Sequence, residues 1–283
     1  MTASLTHSYR RCHEIVRRSG SNFAWAFWLL KRRQRDAMVA LYAFARLTDD
    51  LGDSAAPLAQ KQSELAAWEA SFTAALNGAT DHAILPAVAD MVRAFQVPQA
   101  LLYDIIAGVR SDLTQNRLAT RAALDTYCYQ VAGAVGIACV HIWGYRDPRA
   151  LELAITCGEA FQLTNILRDL KEDAERDRVY LPLAELAQFD YSPDDLLRGT
   201  LDTRYDRLMA YQLDRAEQLY ATAQAIEPLL SHDGRRVFRL MFGRYRAILA
   251  AIRREPRAVW QRRISLSLPH KLLIAGRQLL RLR

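Results

Sequence analysis

Two short acidic stretches, each with an Asp at both ends of a four-residue step, constrain this chain more than any other feature. They occupy residues 49–53 and, about 120 residues later, residues 169–173. Four residues are just over one helical turn, so the two Asp side chains of each stretch share one helix face. Like charges placed in this way repel by roughly 0.2 to 0.5 kcal/mol. The neighbouring residues therefore decide whether each pair lies on a wet surface or in a site.

The first stretch ends a segment whose circumference is almost entirely apolar. At about 100° per residue, the polar residues between positions 38 and 53 fall within one arc of roughly 100°. Thr48 alone interrupts the apolar remainder. A helix that is apolar on nearly all sides is buried, so its polar stripe is predicted to face an interior cavity or a partner. The stripe consists of Tyr42, Arg46, Asp49, Asp50 and Asp53.

The second stretch repeats this arrangement beside an arc of aliphatic residues. We expect the two polar stripes to face each other across a helix bundle. Carboxylate and amide oxygens that converge in a cavity favour hard cations, and Mg²⁺ is the usual ion when waters or phosphates complete its shell. The second stripe consists of Gln162, Asn165, Asp169, Glu172 and Asp173.

The alternative is that both stretches are solvated helix ends. Gly52 and Pro57 would then close the first helix, and Asp177 and Pro182 the second. One DxxxD pattern on a helix favours that interpretation. Two such patterns, both beside apolar arcs and both accompanied by arginine, favour a site instead.

The rest of the chain also has a helical pattern. Its 283 residues include few glycines and prolines, no low-complexity linker, and no run of alternating β-branched residues long enough for a sheet. We therefore predict an all-α protein with one helical domain over residues 1–255. A basic amphipathic C-terminal tail, 256–283, is part of that domain or packed on it. The predicted helical segments are 7–19, 31–53, 60–77, 81–95, 98–111, 120–145, 148–174, 203–228 and 232–254.

The net charge of +7 is a property of the tail. From Arg253 onward nine Lys or Arg oppose one acid, Glu255, while the preceding 252 residues carry about −1. Leucines interleaved with these cations allow a peripheral contact with an anionic membrane surface, and a solvated helix docked by its leucines explains them equally well. No nucleic-acid-binding motif accompanies the charge, so nucleic acid is not an expected partner.

The cysteines and the N-terminus indicate a cytoplasmic protein. If the tail contacts a membrane, that contact is then at its inner face. The four cysteines show no CxxC spacing and lie in helical segments, which argues against disulfides and a zinc site. Four cations between Lys31 and Arg35 directly follow a short apolar run, so no signal peptide is predicted. The uncharged stretch 126–145 contains three glycines and polar side chains, and we interpret it as a central bundle helix rather than a membrane span.

The two aspartate motifs and their continuations closely resemble the squalene and phytoene synthase family. The resemblance covers nearly the whole chain in the family's order. It implies the isoprenoid synthase fold, a helical bundle with a central active-site cavity. It also implies a prenyltransferase that joins two allylic prenyl diphosphates head to head with Mg²⁺. The matching segments are 42–53, 127–136, 162–173, 178–182 and Tyr245.

The resemblance also assigns residue roles, position by position. Asp49 and Asp53 would bind metal from one side of the cavity, and Asn165, Asp169 and Asp173 from the other, with about two or three Mg²⁺ ions. The four aspartates belong to the catalytic set, which is completed by Tyr42, Arg46 and Tyr127.

Further positions match residues that contact the substrate diphosphate or its reacting end. Near the N-terminus the chain departs from the family pattern, and Asn22 stands before Phe23 where many relatives have Ser. Its amide still donates hydrogen bonds to phosphate, and nearby Ser hydroxyls add others. The predicted substrate contacts are Ser19, Ser21, Asn22, Tyr42, Arg46, Gln162, Arg168, Arg178 and Tyr245.

The favoured reaction joins two farnesyl diphosphates to presqualene diphosphate, on the squalene or hopanoid route. The Asn-Ile-Leu-Arg-Asp motif at 165–169 and the short C-terminus support it. The alternative is a phytoene synthase that uses geranylgeranyl diphosphate on the carotenoid route. NADPH is not a favoured cofactor. A non-catalytic assembly factor of the same fold is the third candidate, against which the retained motif aspartates argue.

Overall fold

The computed structural model describes residues 3–19 and 26–265. Within these ranges the chain forms no β-strand, and two isolated β-bridges are its only strand-like pairings. The prediction of an all-α protein is therefore confirmed. The α-helices of these ranges are α1 Ala3–Arg18, α2 Arg32–Asp53, α3 Leu58–Leu76, α4 Leu85–Ala94, α5 Gln99–Asp112, α6 Arg121–Cys128, α7 Ala134–Trp143, α8 Arg149–Arg168, α9 Leu170–Glu175, α10 Leu183–Gln188, α11 Pro193–Leu197, α12 Thr203–Ala223 and α13 His232–Arg254.

The helices form two compact units, each assembled from three stretches of the chain. The first unit contains Met1–Thr114, Ala134–Leu151 and Leu229–Val237. The second contains Gln115–Gly133, Glu152–Pro228 and Phe238–Arg283. The domain boundary predicted at residue 256 falls inside the second unit and stays a prediction.

In the first unit, α2 packs against α1, α3, α4 and α5 and buries its apolar side. The ring of Phe44 lies 5.3 Å from that of Trp68 and 5.1 Å from that of Phe72, both on α3. Thr48 is buried, and its hydroxyl donates to the Phe44 carbonyl at 2.8 Å and accepts from the Trp68 indole N–H at 2.9 Å. The residue that interrupts the apolar arc is therefore fully hydrogen-bonded, and the polar stripe of α2 remains accessible to solvent.

In the second unit, buried side chains connect α8, α10, α12 and α13. Tyr220 of α12 shares a 2.9 Å hydrogen bond with the Thr164 hydroxyl of α8 and lies edge-on to Phe242 of α13. Glu185 of α10 accepts a hydrogen bond at 3.2 Å from Arg215 of α12, and both side chains are buried. Losing Arg215 would leave the buried Glu185 carboxylate without this counter-charge, so the pair stabilises the contact between α10 and α12.

The helix predicted over 120–145 contains a change of geometry. A π-helical turn, Tyr129–Gly133, separates α6 from α7. Beside it, Gly158 of α8 approaches so closely that a Cβ on this residue would lie 2.6 Å from the Gly133 nitrogen. The distortion thus lies where two backbones meet, and the absence of a Cβ on Gly158 permits this close approach.

The helix predicted over 148–174 is interrupted at Asp169. The backbone of Asp169, with φ −102° and ψ 15°, separates α8 from α9. The Asp169 N–H still donates to the Asn165 carbonyl, and the Asp173 N–H to the Asp169 carbonyl, both at 2.9 Å. Because these hydrogen bonds keep the helical i to i−4 step, the motif retains nearly the geometry that the spacing predicts.

Two short helices, α10 and α11, lie in a stretch predicted as a connection. The Ser192 side chain accepts the Asp195 N–H, and the Asp195 side chain accepts the Ser192 N–H, with Pro193 in the first turn. This capping box marks a helix start, whereas the Ser-Pro pair alone indicates only a turn.

The first part of the predicted basic tail packs on the second unit. Arg257 pairs with Asp206 of α12 at 2.6 Å, and Trp260 lies against Gly199, where a Cβ would meet its ring at 2.8 Å. Residues 257 and 260 therefore make their contacts inside the second unit. The remainder of the predicted tail, 266–283, lies outside the described residues.

The four cysteines are buried and free, so no disulfide forms among them. One helical stretch, Arg121–Trp143, is long and apolar enough to cross a membrane, and half of its most apolar window is buried inside the protein. This criterion considers only the length and composition of a helix, and core helices of soluble proteins can meet it as well.

Candidate active site

The first aspartate motif lies at the C-terminal end of α2. Asp49, Asp50 and Asp53 are exposed, and Arg46 pairs with Asp50 at 2.7 Å. Although water reaches Asp49, the surrounding protein desolvates its carboxylate, and the charge of Asp53 adds to this effect. Together they raise the pKa of Asp49 to about 7. Carboxylates that disfavour each other's charge in this way are stabilised by a bound cation.

Two predicted substrate contacts, Tyr42 and Ser19, touch each other in the first unit. The Tyr42 hydroxyl donates to Ser19 Oγ at 3.0 Å, and Ser19 Oγ donates to the Val16 carbonyl at 2.8 Å. The hydrogen bond joins the end of α1 to the polar stripe of α2. Ser21 and Asn22, the other predicted contacts of this segment, lie outside the residues that the structure describes.

The second motif lies at the junction of α8 and α9. Arg168 donates to both carboxylate oxygens of Asp169, at 2.8 and 2.5 Å. The Asn165 amide nitrogen donates to Gln162 Oε1 at 3.3 Å. Asn165 Oδ1 is buried and has no hydrogen-bond partner among the described residues. The structure therefore brings four predicted site residues together and leaves one oxygen donor available.

Asp173 and Arg178 are both half-buried and follow this cluster. The Arg178 N–H donates to the Asp173 carbonyl at 2.8 Å, which closes the turn after α9. Asp177, in this turn, has a positive φ of 56°. A left-handed residue suits this tight reversal, which brings the Arg178 N–H back to the Asp173 carbonyl.

Tyr245 of α13 completes the cluster in the second unit. Its buried ring stacks on Phe161 of α8, with centroids 4.1 Å apart and planes inclined by 6°. Burial raises the pKa of Tyr245, while the charge of Arg168 and a hydrogen bond with Asn165 partly offset this rise. Tyr245 thus contacts the second motif, although it lies about 80 residues later in the chain.

Tyr127 of α6 is buried and stacks on Tyr180, with centroids 4.9 Å apart and planes inclined by 18°. Tyr180 lies two residues after Arg178 and is not among the predicted site residues. Its signal in the sequence is its position inside the matched segment 178–182. The pair presents stacked aromatic faces beside the turn that follows the second motif.

Two further arginines reach this cluster without having been predicted. Arg263, a residue of the predicted basic tail, lies 3.3 Å from Asp169 and 3.7 Å from Glu172. Arg244 is buried beside Tyr245 in the chain, and burial lowers its pKa. No local pattern in the sequence identifies Arg263 as a site residue, because Glu172 and Asp169 lie 91 and 94 positions before it. Arg244 has no such pattern either.

A profile of squalene/phytoene synthases matches residues 16–270 of the chain. The protein belongs to the squalene/phytoene synthase family. Among curated relatives of this family member is the 15-cis-phytoene synthase of Synechococcus elongatus, 36% identical over 273 residues, with 92% of this chain and 89% of that protein covered. The phytoene synthase of Mycobacterium tuberculosis is 34% identical, with 96% and 90% covered.

Solved structures place this family member in the squalene synthase-type fold. The squalene synthase HpnC of Alicyclobacillus acidocaldarius gives a TM-score of 0.85 at 27% identity, covering 90% of this chain and 97% of that one. A dehydrosqualene synthase in complex with a ligand gives 0.88 at 26% identity, covering 98% and 97%. Both the resemblance seen in the motifs and the isoprenoid synthase fold are confirmed.

The donor set of this squalene/phytoene synthase family member fits the predicted Mg²⁺. Among the described residues, no three His, Cys, Asp or Glu side chains already form a metal-binding group. The buried, unpartnered Asn165 Oδ1 is nevertheless a hard oxygen donor one helical turn before Asp169. In the second unit, the residues that would hold an ion are Asn165, Asp169 and Asp173. Asp49 and Asp53 of the first unit stay predicted ligands.

Proposed function

We propose that this protein catalyses the Mg²⁺-dependent head-to-head (1'-1) condensation of two allylic prenyl diphosphates, with release of diphosphate. The unpartnered Asn165 Oδ1 beside the bidentate Arg168–Asp169 pair carries the proposal. An oxygen donor, a carboxylate and a guanidinium side by side suit a metal-bound diphosphate. Membership of a prenyltransferase family supports the same class of reaction.

In the first step, ionisation of one substrate, the protein must bind the diphosphate and stabilise it as it leaves. When bound, Mg²⁺ supplies Lewis-acid stabilisation of phosphoryl oxygens. Arg168 and Arg178 of the second unit would donate charge-assisted hydrogen bonds to phosphoryl oxygens, and Arg46 of the first unit offers the same kind of donor. As the allylic C–O bond breaks, its electron pair leaves with the diphosphate, and these cations stabilise the negative charge that collects there.

The allylic cation must then react with the second substrate rather than with water. The new C–C bond takes the π electrons of that substrate's double bond, and loss of a proton closes the ring of the cyclopropylcarbinyl diphosphate. Aromatic faces tolerate the positive charge, with cation–π attraction of roughly 2 kcal/mol when desolvated. The stacked, buried rings of Tyr127 and Tyr180 are suited to this role.

The comparisons support two substrate lengths. The relatives at 34 to 36% identity are phytoene synthases, which favours geranylgeranyl diphosphate. The solved structures at 26 to 27% identity are a dehydrosqualene and a squalene synthase, which favours farnesyl diphosphate. We place geranylgeranyl diphosphate first because identity to phytoene synthases is higher, and farnesyl diphosphate, favoured by the motifs alone, second.

The decisive experiment incubates the purified protein with Mg²⁺ and either geranylgeranyl or farnesyl diphosphate, with and without NADPH. Products are identified by mass spectrometry, and released diphosphate is measured separately. A C40 or a C30 product identifies the chain length, and dependence on NADPH shows whether reduction follows. Absence of diphosphate release from both substrates would reject the proposal in favour of a non-catalytic assembly role.

Matched variants connect the activity to the two motifs. Asp49→Asn and Asp169→Asn remove a charge while keeping the side-chain shape, and both are expected to abolish turnover. Asp194→Asn changes an exposed aspartate of α11 and is expected to leave turnover unchanged. Circular dichroism verifies that all three variants keep their helical content. Full activity of Asp49→Asn or Asp169→Asn would exclude that residue as a metal ligand.

We further propose a cytoplasmic location, with the C-terminal tail as a peripheral contact to the inner face of the membrane. Nine Lys or Arg between Arg253 and the C-terminus support it. Fractionation of cells that produce the full chain, compared with cells that produce a chain ending at residue 265, tests the contribution of 266–283. Equal membrane recovery of the two forms would count against the tail.

A further inference from the structure

A second basic surface lies in the first unit, far from the C-terminus in sequence. It comprises Trp28, Lys31, Arg32, Arg33 and Arg35 around the start of α2, with Arg10 of α1 nearby; we name these six residues the basic patch. Arg10 and Arg32 line the same recess on the surface. Four of the six residues follow one another within five positions, so α2 begins inside the patch.

The position of these cations disfavours helix stability. The first turn of α2 contains no acidic residue, and Lys31 at the N-cap makes no side-chain capping hydrogen bond. Positive charges at a helix N-terminus oppose the helix dipole, which favours anions there. A stability role therefore does not explain the cluster, and an anionic partner would satisfy both its side chains and the helix end.

The carboxylates that contact the patch lie deeper than its cations. The side chains of Lys31 and Arg32 are 82% and 89% exposed, whereas their partners Asp233 and Asp36 are 20% and 21% exposed. The corresponding N–O distances, 3.8 and 4.0 Å, are those of loose ion pairs. The outer layer of this surface is therefore cationic even though acids lie beneath it.

Trp28 is the most exposed large hydrophobic side chain of the described residues, at 70%. The guanidinium of Arg35 lies 4.4 Å from its ring centroid. An exposed indole next to cations is the pairing that membrane-interface proteins use, because tryptophan sits at headgroup level and Lys or Arg reaches the phosphates. A solvated charged surface would not require the indole.

Beside Trp28 and Arg35, the patch borders a recess of about 540 Å³ between α1 and the start of α2. Its walls include Arg10, Arg32 and Arg33, and Tyr9 at its base donates to Asp90 at 2.6 Å. Asp90, behind this wall, pairs with Arg33 at 3.1 Å. The acid in the wall itself, Asp36, lies 2.8 Å from His13 and 4.0 Å from Arg32, so three arginines and one histidine face a single carboxylate. The recess is large enough for a phosphate headgroup and offers it guanidinium donors.

We propose that the basic patch docks the protein on an anionic phospholipid bilayer, with the Trp28 indole at headgroup depth and Arg10, Arg32 and Arg33 on lipid phosphates. Anionic membrane surfaces attract nearby Lys and Arg, and the attraction weakens with salt. The surface belongs to the first unit and is separate from the C-terminal tail. The proposal does not rest on the proposed enzymatic function.

The experiment measures flotation of the full-length protein with vesicles of phosphatidylcholine alone or of equal parts phosphatidylcholine and phosphatidylglycerol. Arg32→Glu with Arg33→Glu should lower the partition coefficient on anionic vesicles at least about twentyfold, since each removed cation accounts for roughly fivefold. Trp28→Ala should lower it about tenfold through lost apolar burial. The matched control, Arg149→Glu with Arg198→Glu, makes the same charge change at two exposed arginines outside the patch.

Binding of the wild type to anionic vesicles only, lost in both patch variants and kept in the control, is the expected result. Equal binding of the wild type and the patch variants would overturn the proposal and assign any binding to another surface, such as the tail. Absence of vesicle binding by the wild type would overturn it as well. So would patch-dependent binding of duplex DNA without binding to vesicles, which would identify a nucleic-acid surface.

Discussion

Arg168 donates two hydrogen bonds to the carboxylate of Asp169, one from Nε at 2.8 Å and one from Nη2 at 2.5 Å. The two residues are neighbours in sequence at the junction of α8 and α9, and both side chains are largely buried. A bidentate pair fixes the orientation of both planar groups. Asp169 therefore keeps a defined position before any metal ion binds, and Arg168 remains beside it to meet a diphosphate.

This geometry predicts that Arg168→Lys is not a conservative change. Lysine keeps the charge but cannot form the planar two-point contact. We expect kcat/KM to fall at least about tenfold in Arg168→Lys and about 10² to 10³-fold in Arg168→Gln. Steady-state diphosphate release measures both, with Arg198→Gln as the exposed control. Wild-type kinetics in Arg168→Lys would show that charge alone suffices.

The free oxygen of Asn165 predicts a separation between metal response and stability. Asn165→Leu removes the unpartnered Oδ1 and also the amide N–H that donates to Gln162, so the free energy of unfolding without metal should fall by about 1 to 3 kcal/mol, and each variant is compared with its own metal-free Tm. The rise in Tm that Mg²⁺ and inorganic diphosphate cause together should disappear in this variant and persist in Asn165→Asp. Thermal unfolding with and without these ions measures both effects. An equal rise in wild type and Asn165→Leu would exclude Asn165 from the metal site.

Two substitutions of Tyr245 distinguish the role of its ring, which stacks on Phe161, from the role of its hydroxyl. Tyr245→Phe keeps the ring contact, with centroids 4.1 Å apart, and removes only the hydroxyl that interacts with Asn165. We expect turnover to fall while Tm stays close to the wild-type value. Tyr245→Ala should destabilise the protein by about 3 kcal/mol because it leaves a cavity. Chemical denaturation and turnover assays on the same preparations distinguish the two; a loss of stability in Tyr245→Phe would contradict this division.

Two glycines predict opposite sensitivities to alanine. A Cβ at Gly158 would lie 2.6 Å from the Gly133 nitrogen, whereas at Gly52 it would meet the Val109 side chain at 2.6 Å. Backbone of the π-helical turn cannot move aside, but a valine side chain can rotate. We expect Gly158→Ala to lower the free energy of unfolding by about 1 to 3 kcal/mol and Gly52→Ala to lower it less, as measured by urea unfolding. A larger loss of stability in Gly52→Ala than in Gly158→Ala would show that the backbone of the π-turn can shift to accept a Cβ.

The buried cysteines predict a protein that resists thiol reagents. Burial raises the pKa of Cys12, Cys128 and Cys139 to about 12. The reactive thiolate is therefore scarce at pH 8 and becomes common only near pH 12 or after unfolding, where the pKa returns to its ordinary range. Ellman's reagent should detect almost none of the four thiols in the native protein and all four in guanidinium. Rapid native labelling would contradict this arrangement.

Much of the site could be predicted because its residues occupy the faces of single helices. Asn165 and Asp169 are one turn apart, and Arg46 and Asp50 are likewise, so the helical period alone places each pair together. The fold class follows from the same periodicity, extended along the chain. The interruption at Asp169 and the π-turn at Tyr129–Gly133 could not be predicted in this way, because they reflect local backbone geometry that hydrophobic spacing does not record.

The sequence by itself determined that the protein is all-α, which face of α2 is polar, and which motif residues belong to the squalene/phytoene synthase pattern. These features depend on residues a few positions apart, whose relative placement is fixed by helix geometry. Only the tertiary structure placed Arg263 on Asp169 and Tyr180 on Tyr127. Contacts between residues about 50 to 90 positions apart depend on how whole helices and turns pack, because packing optimises buried surface over the entire fold and not over any local window.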